Sequence, residues 1–193
     1  MAKRGLDGDA VVAAAVRVAD RDGFETLTLA AVAAEVGVRV PSLYHHVDGL
    51  TALRARVRRF ALEQLGERLR HATAGRTGRE AVAGLVRVLY EFGAAHPGLL
   101  AATVAAPDDA QGRAAGEAVV AVAFDALRGY GLEGEALVHA TRVLRAAIHG
   151  FAALDAAGGF ARPEAVERSL EALVTVLDGG VRALAAEARA SAP

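Results

Sequence analysis

The chain has 193 residues, 53% of them hydrophobic and 5% aromatic, with no cysteine and a net charge of −1. That length supports one or two domains with a proper core, and the composition suits packed, alanine-rich helices. It excludes disulfides and thiolate chemistry, and because charged residues break every Ala/Val/Leu run, it offers no apolar segment of the ~18 residues a membrane span requires. No signal-peptide pattern opens the sequence, so a cytoplasmic location is expected. The charge is unevenly spread: residues 1–60 hold nine Lys/Arg and seven Asp/Glu, whereas residues 61–193 hold thirteen and sixteen. A slightly basic head on an acidic body favours a DNA-facing N-terminal end.

In chain order, Lys3 and Arg4 form a short basic arm that either touches phosphate or stays disordered. A first helix is expected over about Asp9 to Asp22, with Val12, Val16 and Ala19 on one face, Gly23 at its end and Phe24 packing back. The stretch TLTLAAVAAEVGVRVPSLYHHV, Thr26 to Val47, then reads as two short helices hinged on one glycine. Thr28 is a helix cap, and Leu27 and Val32 have the spacing of a hydrophobic staple. Leu29, Val32, Ala33 and Val36 recur at three- and four-residue steps before Gly37, which tolerates the left-handed conformation past a helix end. Pro41 opens a second helix carrying Ser42, Leu43, Tyr44, His45 and His46. This is the spacing of a DNA-binding helix-turn-helix, and Thr28 is also placed to offer its hydroxyl and amide to a phosphate.

LTLAAVAAEVGVRVPSLYHHVDGLTAL resembles the N-terminal signature of the TetR family of transcriptional regulators, closely over residues 6 to 60 and elsewhere only in length, helical character and the His149-Gly150-Phe151 run, which is similar to a C-terminal element of one TetR subgroup. In that family the second motif helix reads DNA, so the resemblance implies contacts from Arg39, Val40, Pro41, Ser42, Tyr44 and His45. It also implies a double-stranded palindromic operator and a homodimer. The sequence departs from the family at Leu50, where a phosphate-contacting lysine is common, and at Ala30 and Ala31. Phosphate anchoring then falls to Lys3, Arg4, Arg39, Tyr44 and Arg54, while Arg56, Arg58 and Arg59 are expected on a solvated face.

Residues 48–71 read as a linker helix, with Leu50, Leu53, Val57, Phe60, Ala61 and Leu65 in helical register and Asp48 as its cap. Residues 72–79 are the clearest loop. Further helices are expected at about 79–95, 97–105, 108–129, 134–157 and 163–188. The fold class is therefore all-α, about nine helices: a three-helix DNA-binding head over 1–47 and a helical effector-binding and dimerisation body over 48–193.

Ala146, Gly150 and Ala153 make one late helix slim, and Leu170, Leu173, Leu177, Val181 and Leu184 give the last a broad apolar stripe. By the resemblance these two helices pair with their symmetry mates. Arg142, Arg145 and His149 share a face of the slim helix, and buried polar groups need partners, so that face meets either a ligand cavity or carboxylates elsewhere. Tyr90, Phe92, His96, Thr103 and Phe124 supply further aromatic and polar material for a mostly apolar pocket holding an unidentified small-molecule effector.

No nucleophile-base constellation, paired carboxylates beside a histidine or phosphate-binding glycine run is present, so no catalytic residue, cofactor or enzymatic activity is expected. The histidine spacings do not match a metal site. The sequence reads as a repressor released by an effector. The alternatives are an activator, a ligand-independent regulator, or an all-α small-molecule binding protein.

Overall fold

The computed structural model describes residues 6–162 and 164–190. Over these the chain is all-helical, with α1 (Gly8–Asp22), α2 (Leu29–Val36), α3 (Val40–Leu43), α4 (Gly49–Thr73), α5 (Gly78–Ala95), α6 (Pro97–Ala102), α7 (Ala110–Arg128), α8 (Gly134–Ala156) and α9 (Val166–Ala190). No helix among the described residues is long and apolar enough to cross a membrane.

The chain divides into two compact units, one of residues up to 63 together with 96–116, the other of residues 64–95 together with 117 onward. In the first unit, Asp7 caps α1 by accepting from the Ala10 amide at 2.7 Å. Its residues Val11, Ala14, Ala15, Val18 and Ala19 are buried, the i, i+3, i+4, i+7 stripe of a core helix. Phe24, Leu27, Val32, Leu43, Leu53 and Val57 close this core. In the second unit α5 packs against α8 and α9, which also touch each other. Leu85, Leu89 and Phe92 of α5, Leu144 and Ile148 of α8, and Val174, Leu177 and Val181 of α9 are buried there. Tyr90 of α5 donates its hydroxyl to Asp155 of α8 at 2.7 Å.

Candidate nucleic-acid interface

The α2–α3 segment is built by local chemistry. The Thr28 hydroxyl accepts from the Ala31 amide at 3.1 Å, and Leu27 and Val32 are both fully buried beside that cap. At the other end Gly37 is left-handed at φ 74°, ψ 33°. Its amide donates to the Ala34 carbonyl at 3.2 Å and the Val38 amide to the Ala33 carbonyl at 2.9 Å, the double bond of a Schellman stop.

Helix α3 is shorter than its sequence suggests. It begins at Val40 with Pro41 in its first turn and ends at Leu43, and Tyr44, His45 and His46 form a turn. The amides of His46 and Val47 both donate to the Leu43 carbonyl, at 2.8 and 3.0 Å, which tightens the chain there. Leu43 and Val47 are buried and anchor the segment. Arg39, Pro41, Tyr44 and His45 are exposed, Tyr44 at 57%, and Val40 and Ser42 are half-buried. The Arg39 carbonyl accepts the Ser42 amide at 2.9 Å, while its guanidinium has no hydrogen-bond or ion-pair partner among the described residues. Thr28 is exposed beside them. Lys3 and Arg4 lie outside the described residues.

The surrounding cations support this surface from behind. Glu35 receives Arg17 Nε at 2.7 Å and Arg21 Nη1 at 3.0 Å. Those bonds, from Arg17 first, hold its carboxyl below the usual carboxylate range. Arg54 donates to the carbonyls of Glu25 and Leu27 at 2.7 and 3.1 Å. Its Nη2 is thus engaged with backbone. The solvated face expected for Arg56, Arg58 and Arg59 is corrected. Arg56 reaches the His46 carbonyl and Asp9, Arg59 reaches Gln111 and Glu63, and Arg58 is only 13% exposed.

Arg58 belongs to a clamp that the sequence did not announce. Asp20 of α1 accepts the Leu99 amide of α6 at 3.1 Å and meets His96 Nδ1 at 2.9 Å. Arg58 of α4, lying over the Phe24 ring, donates Nε to the Ala102 carbonyl at 3.1 Å. A carboxylate thus sits at the N-terminus of α6 and a guanidinium at its C-terminus, the signs that a helix's end charges favour. Gly98 makes the approach possible, since a Cβ there would lie 2.6 Å from the Asp20 amide nitrogen.

Two family profiles match the chain: "Bacterial regulatory proteins, tetR family" over residues 11–54, and "Tetracyclin repressor-like, C-terminal domain" over residues 82–177. The chain belongs to the TetR family. It is 33% identical over 178 residues to the uncharacterized HTH-type transcriptional regulator YobS of Bacillus subtilis (strain 168), covering 91% of this chain and 93% of YobS. It is 33% identical over 156 residues to the uncharacterized HTH-type transcriptional regulator Rv0681 of Mycobacterium tuberculosis (strain ATCC 25618 / H37Rv), covering 79% of this chain and 72% of that one. Among solved structures the fold is shared by ActR of Streptomyces coelicolor. Apo ActR gives a TM-score of 0.73 at 21% identity, over 97% and 100% of the two chains. Its complex with (S)-DNPA gives 0.65 at 19%, over 94% and 99%. The protein is therefore a TetR-family DNA-binding transcriptional regulator and not an enzyme.

The residues expected around an effector are distributed over both units. His96 and Thr103 belong to the first unit, where His96 meets Asp20 and Thr103 donates its hydroxyl to the Leu100 carbonyl at 2.8 Å. In the second unit Phe92 is fully buried beneath the Arg68 guanidinium, and Tyr90 packs edge-on against Phe151. Phe124 is half-buried. The expectation of a buried polar face on α8 is corrected at Arg142 and Arg145, which are both exposed. They lie on the flank between the buried row (Leu137, Leu144, Ile148) and the exposed row (Val143, Ala146, Gly150), where long side chains reach solvent. His149 alone is half-buried there, and burial followed by the charge of Arg145 lowers its pKa to about 4.

The expected dimer residues also divide. Leu177 and Val181 are buried within the protomer, so they cannot supply a surface for a second copy. Leu170, Leu173 and Leu184 are half-buried, and Ala146, Gly150 and Ala153 are exposed. The exposed apolar row of α9 runs instead through Ala172, Val176, Gly179, Gly180 and Ala183, with Val176 at 70%. On α8, Val143 and Leu154 are exposed at 58% and 54% beside the small residues.

Proposed function

We propose that this TetR-family regulator is a homodimeric, cytoplasmic repressor that binds a palindromic operator and is released by a small-molecule effector. Residues 1–47 form the DNA-reading part, and residues 48–193 the effector-binding and dimerisation part. The reading is carried by one observation. Arg39, Pro41, Tyr44 and His45 are exposed together on a segment fixed by buried Leu43 and Val47, and Arg39 keeps its donors free of protein partners among the described residues. Such a segment enters a major groove with Arg39, Val40, Ser42, Tyr44 and His45 toward the bases and phosphates, and Thr28 and the Lys3–Arg4 arm toward the backbone.

Two further observations support the rest. The exposed rows of α8 and α9 leave large apolar side chains in water, which pairing with a second copy would cover. The ActR fold has been seen with a small molecule, (S)-DNPA. Selection of genomic fragments by the purified protein, followed by footprinting, tests the proposal. The expected outcome is two protected half-sites about 34–36 Å apart centre to centre, and loss of protection in Arg39→Ala. A single unpaired footprint, or a footprint unchanged by Arg39→Ala, refutes it.

A further inference from the structure

In the second unit a cavity of about 280 Å³ is lined by Gly78, Gly129, Tyr130, Arg182, Ala185 and Arg189. Its cations are fixed by one tyrosine. The Arg182 guanidinium lies over the Tyr130 ring at 5.4 Å, and Arg189 Nη1 donates to the Tyr130 carbonyl at 3.3 Å. Tyr130 is itself tied to α9, since its hydroxyl donates to Asp178 at 2.6 Å while Arg182 Nε meets the second Asp178 oxygen at 3.1 Å. Both Asp178 oxygens are therefore occupied. Burial and that carboxylate push the Tyr130 hydroxyl well above the usual phenol range, so it stays neutral and the network keeps its geometry.

An arginine has five N–H donors in a fixed fork. Arg182 and Arg189 each spend one on the protein, and the remaining donors of both flank the same cavity. Among the described residues, Asp178 is the one carboxylate bonded to either guanidinium. Preorganised guanidinium pairs are the usual means of binding phosphate and carboxylate groups bidentately. At about 280 Å³ the space lies at the lower limit for drug-sized ligands, which suits a small anion.

We infer that the Arg182–Arg189 cavity is a binding site for a small phosphate- or carboxylate-bearing anion. It goes beyond the proposed function, because neither DNA reading nor dimer pairing uses these residues. At 100° per residue Arg182 and Arg189 fall well round α9 from the exposed Val176, Gly180 and Ala183 row, so pairing through that row leaves the cavity open.

The test uses the full-length protein and follows its thermal midpoint in inorganic phosphate, glycerol phosphate and malonate, against chloride at matched ionic strength. Calorimetry supplies the stoichiometry. A midpoint that rises with one of the oxyanions but not with chloride, at one site per chain, is the expected result, and R182Q/R189Q should abolish it. If the double variant folds poorly, R189Q alone, which removes only a single 3.3 Å contact to a carbonyl, should weaken binding at least threefold. Tighter binding of the ester than of inorganic phosphate assigns the site to a phosphorylated metabolite, equal binding to free phosphate, and preference for malonate to a carboxylate. Equal shifts in oxyanions and chloride, or wild-type binding by R189Q, overturn the inference. So does loss of operator affinity in R182Q/R189Q, which would make the cavity part of a DNA surface.

Discussion

Gly98→Ala is the sharpest probe of how α6 is held. The added methyl would stand 2.6 Å from the Asp20 amide nitrogen and closer still to the Ala19 carbonyl, against an ordinary contact of at least 3.4 Å. Both obstacles are backbone atoms inside α1, so no side chain can swing aside and α6 must retreat by roughly 1 Å. Overpacking of this kind costs about 1–3 kcal/mol. The retreat also stretches the 3.1 Å bond from the Leu99 amide to Asp20, and a hydrogen bond to a charged group contributes about 1.5–3 kcal/mol. Alanine returns about 1 kcal/mol through its helix propensity. The net expectation is a loss of about 2–4 kcal/mol, read from urea unfolding as a lower midpoint at unchanged slope. Asp20→Asn, which keeps the shape but removes the charge, should lose less. A Gly98→Ala protein within 0.5 kcal/mol of wild type would refute the close packing and the clamp built on it, since that value is an ordinary surface effect.

Tyr44→Ala should abolish specific operator binding while moving the thermal midpoint little, because the side chain is 57% exposed; unchanged affinity in a gel shift would exclude Tyr44 from the DNA surface. Operator affinity should fall with salt at a log-log slope no steeper than about −6 per dimer, since Arg39 and the Lys3–Arg4 arm supply at most three cations per subunit, and a measured slope beyond about −8 would contradict this. Val176→Arg should leave the protomer folded yet shift light-scattering mass from dimer to monomer, because a 70% exposed valine matters only if a second copy covers it. His149, with its pKa lowered to about 4, stays neutral in the folded chain where the unfolded chain takes up a proton. Its contribution is therefore complete above about pH 6.5 and is lost as pH falls toward 4. His149→Gln should flatten stability against pH in that window by roughly 1–3 kcal/mol, and an unchanged profile would mean the imidazole is solvated.

What could be read from the sequence was what local chemistry decides. Thr28, Leu27 with Val32, and Gly37 each act within five residues of their partners, and the cap, the staple and the stop all stand where the spacing put them. Helix types and order followed for the same reason. Tyr44 to His46 were placed in a helix because their composition permits one. A turn replaces it once Leu43 accepts two amides, and nothing in the sequence marks that. Arg56, Arg58 and Arg59 of α4 looked solvent-facing because their partners are remote: Arg58 bonds 44 residues on and Arg59 52 residues on. Asp20 was equally silent, its partners lying 76 and 79 residues away. On α9 leucine and valine surround much of the helix, so the pattern could not say which of them α5 would bury. Leu177 and Val181 went inward, and Val176 was left outside.

The excess charge that made the N-terminal end look DNA-facing acts differently from how the count suggests. Of its nine basic residues, Arg17, Arg21, Arg54, Arg56, Arg58 and Arg59 are all bonded to carboxylates, carbonyls or an amide of the protein. They tie α1, α2, α4 and α6 together, and Arg39 is the described arginine of this end whose guanidinium has no protein partner. On the proposed reading, at most three cations per subunit supply the counterion-release part of operator affinity, and base-edge and apolar contacts of the α3 segment, which work only when that segment is held at a fixed angle, have to supply the rest. Rigidity of the head then sets affinity as directly as contact chemistry does. If the α3 segment reads DNA as proposed, loosening the α6 clamp by Gly98→Ala should weaken operator binding although Asp20 and Arg58 bond to none of Arg39, Ser42, Tyr44 or His45, and an unchanged affinity in a destabilised variant would refute the link.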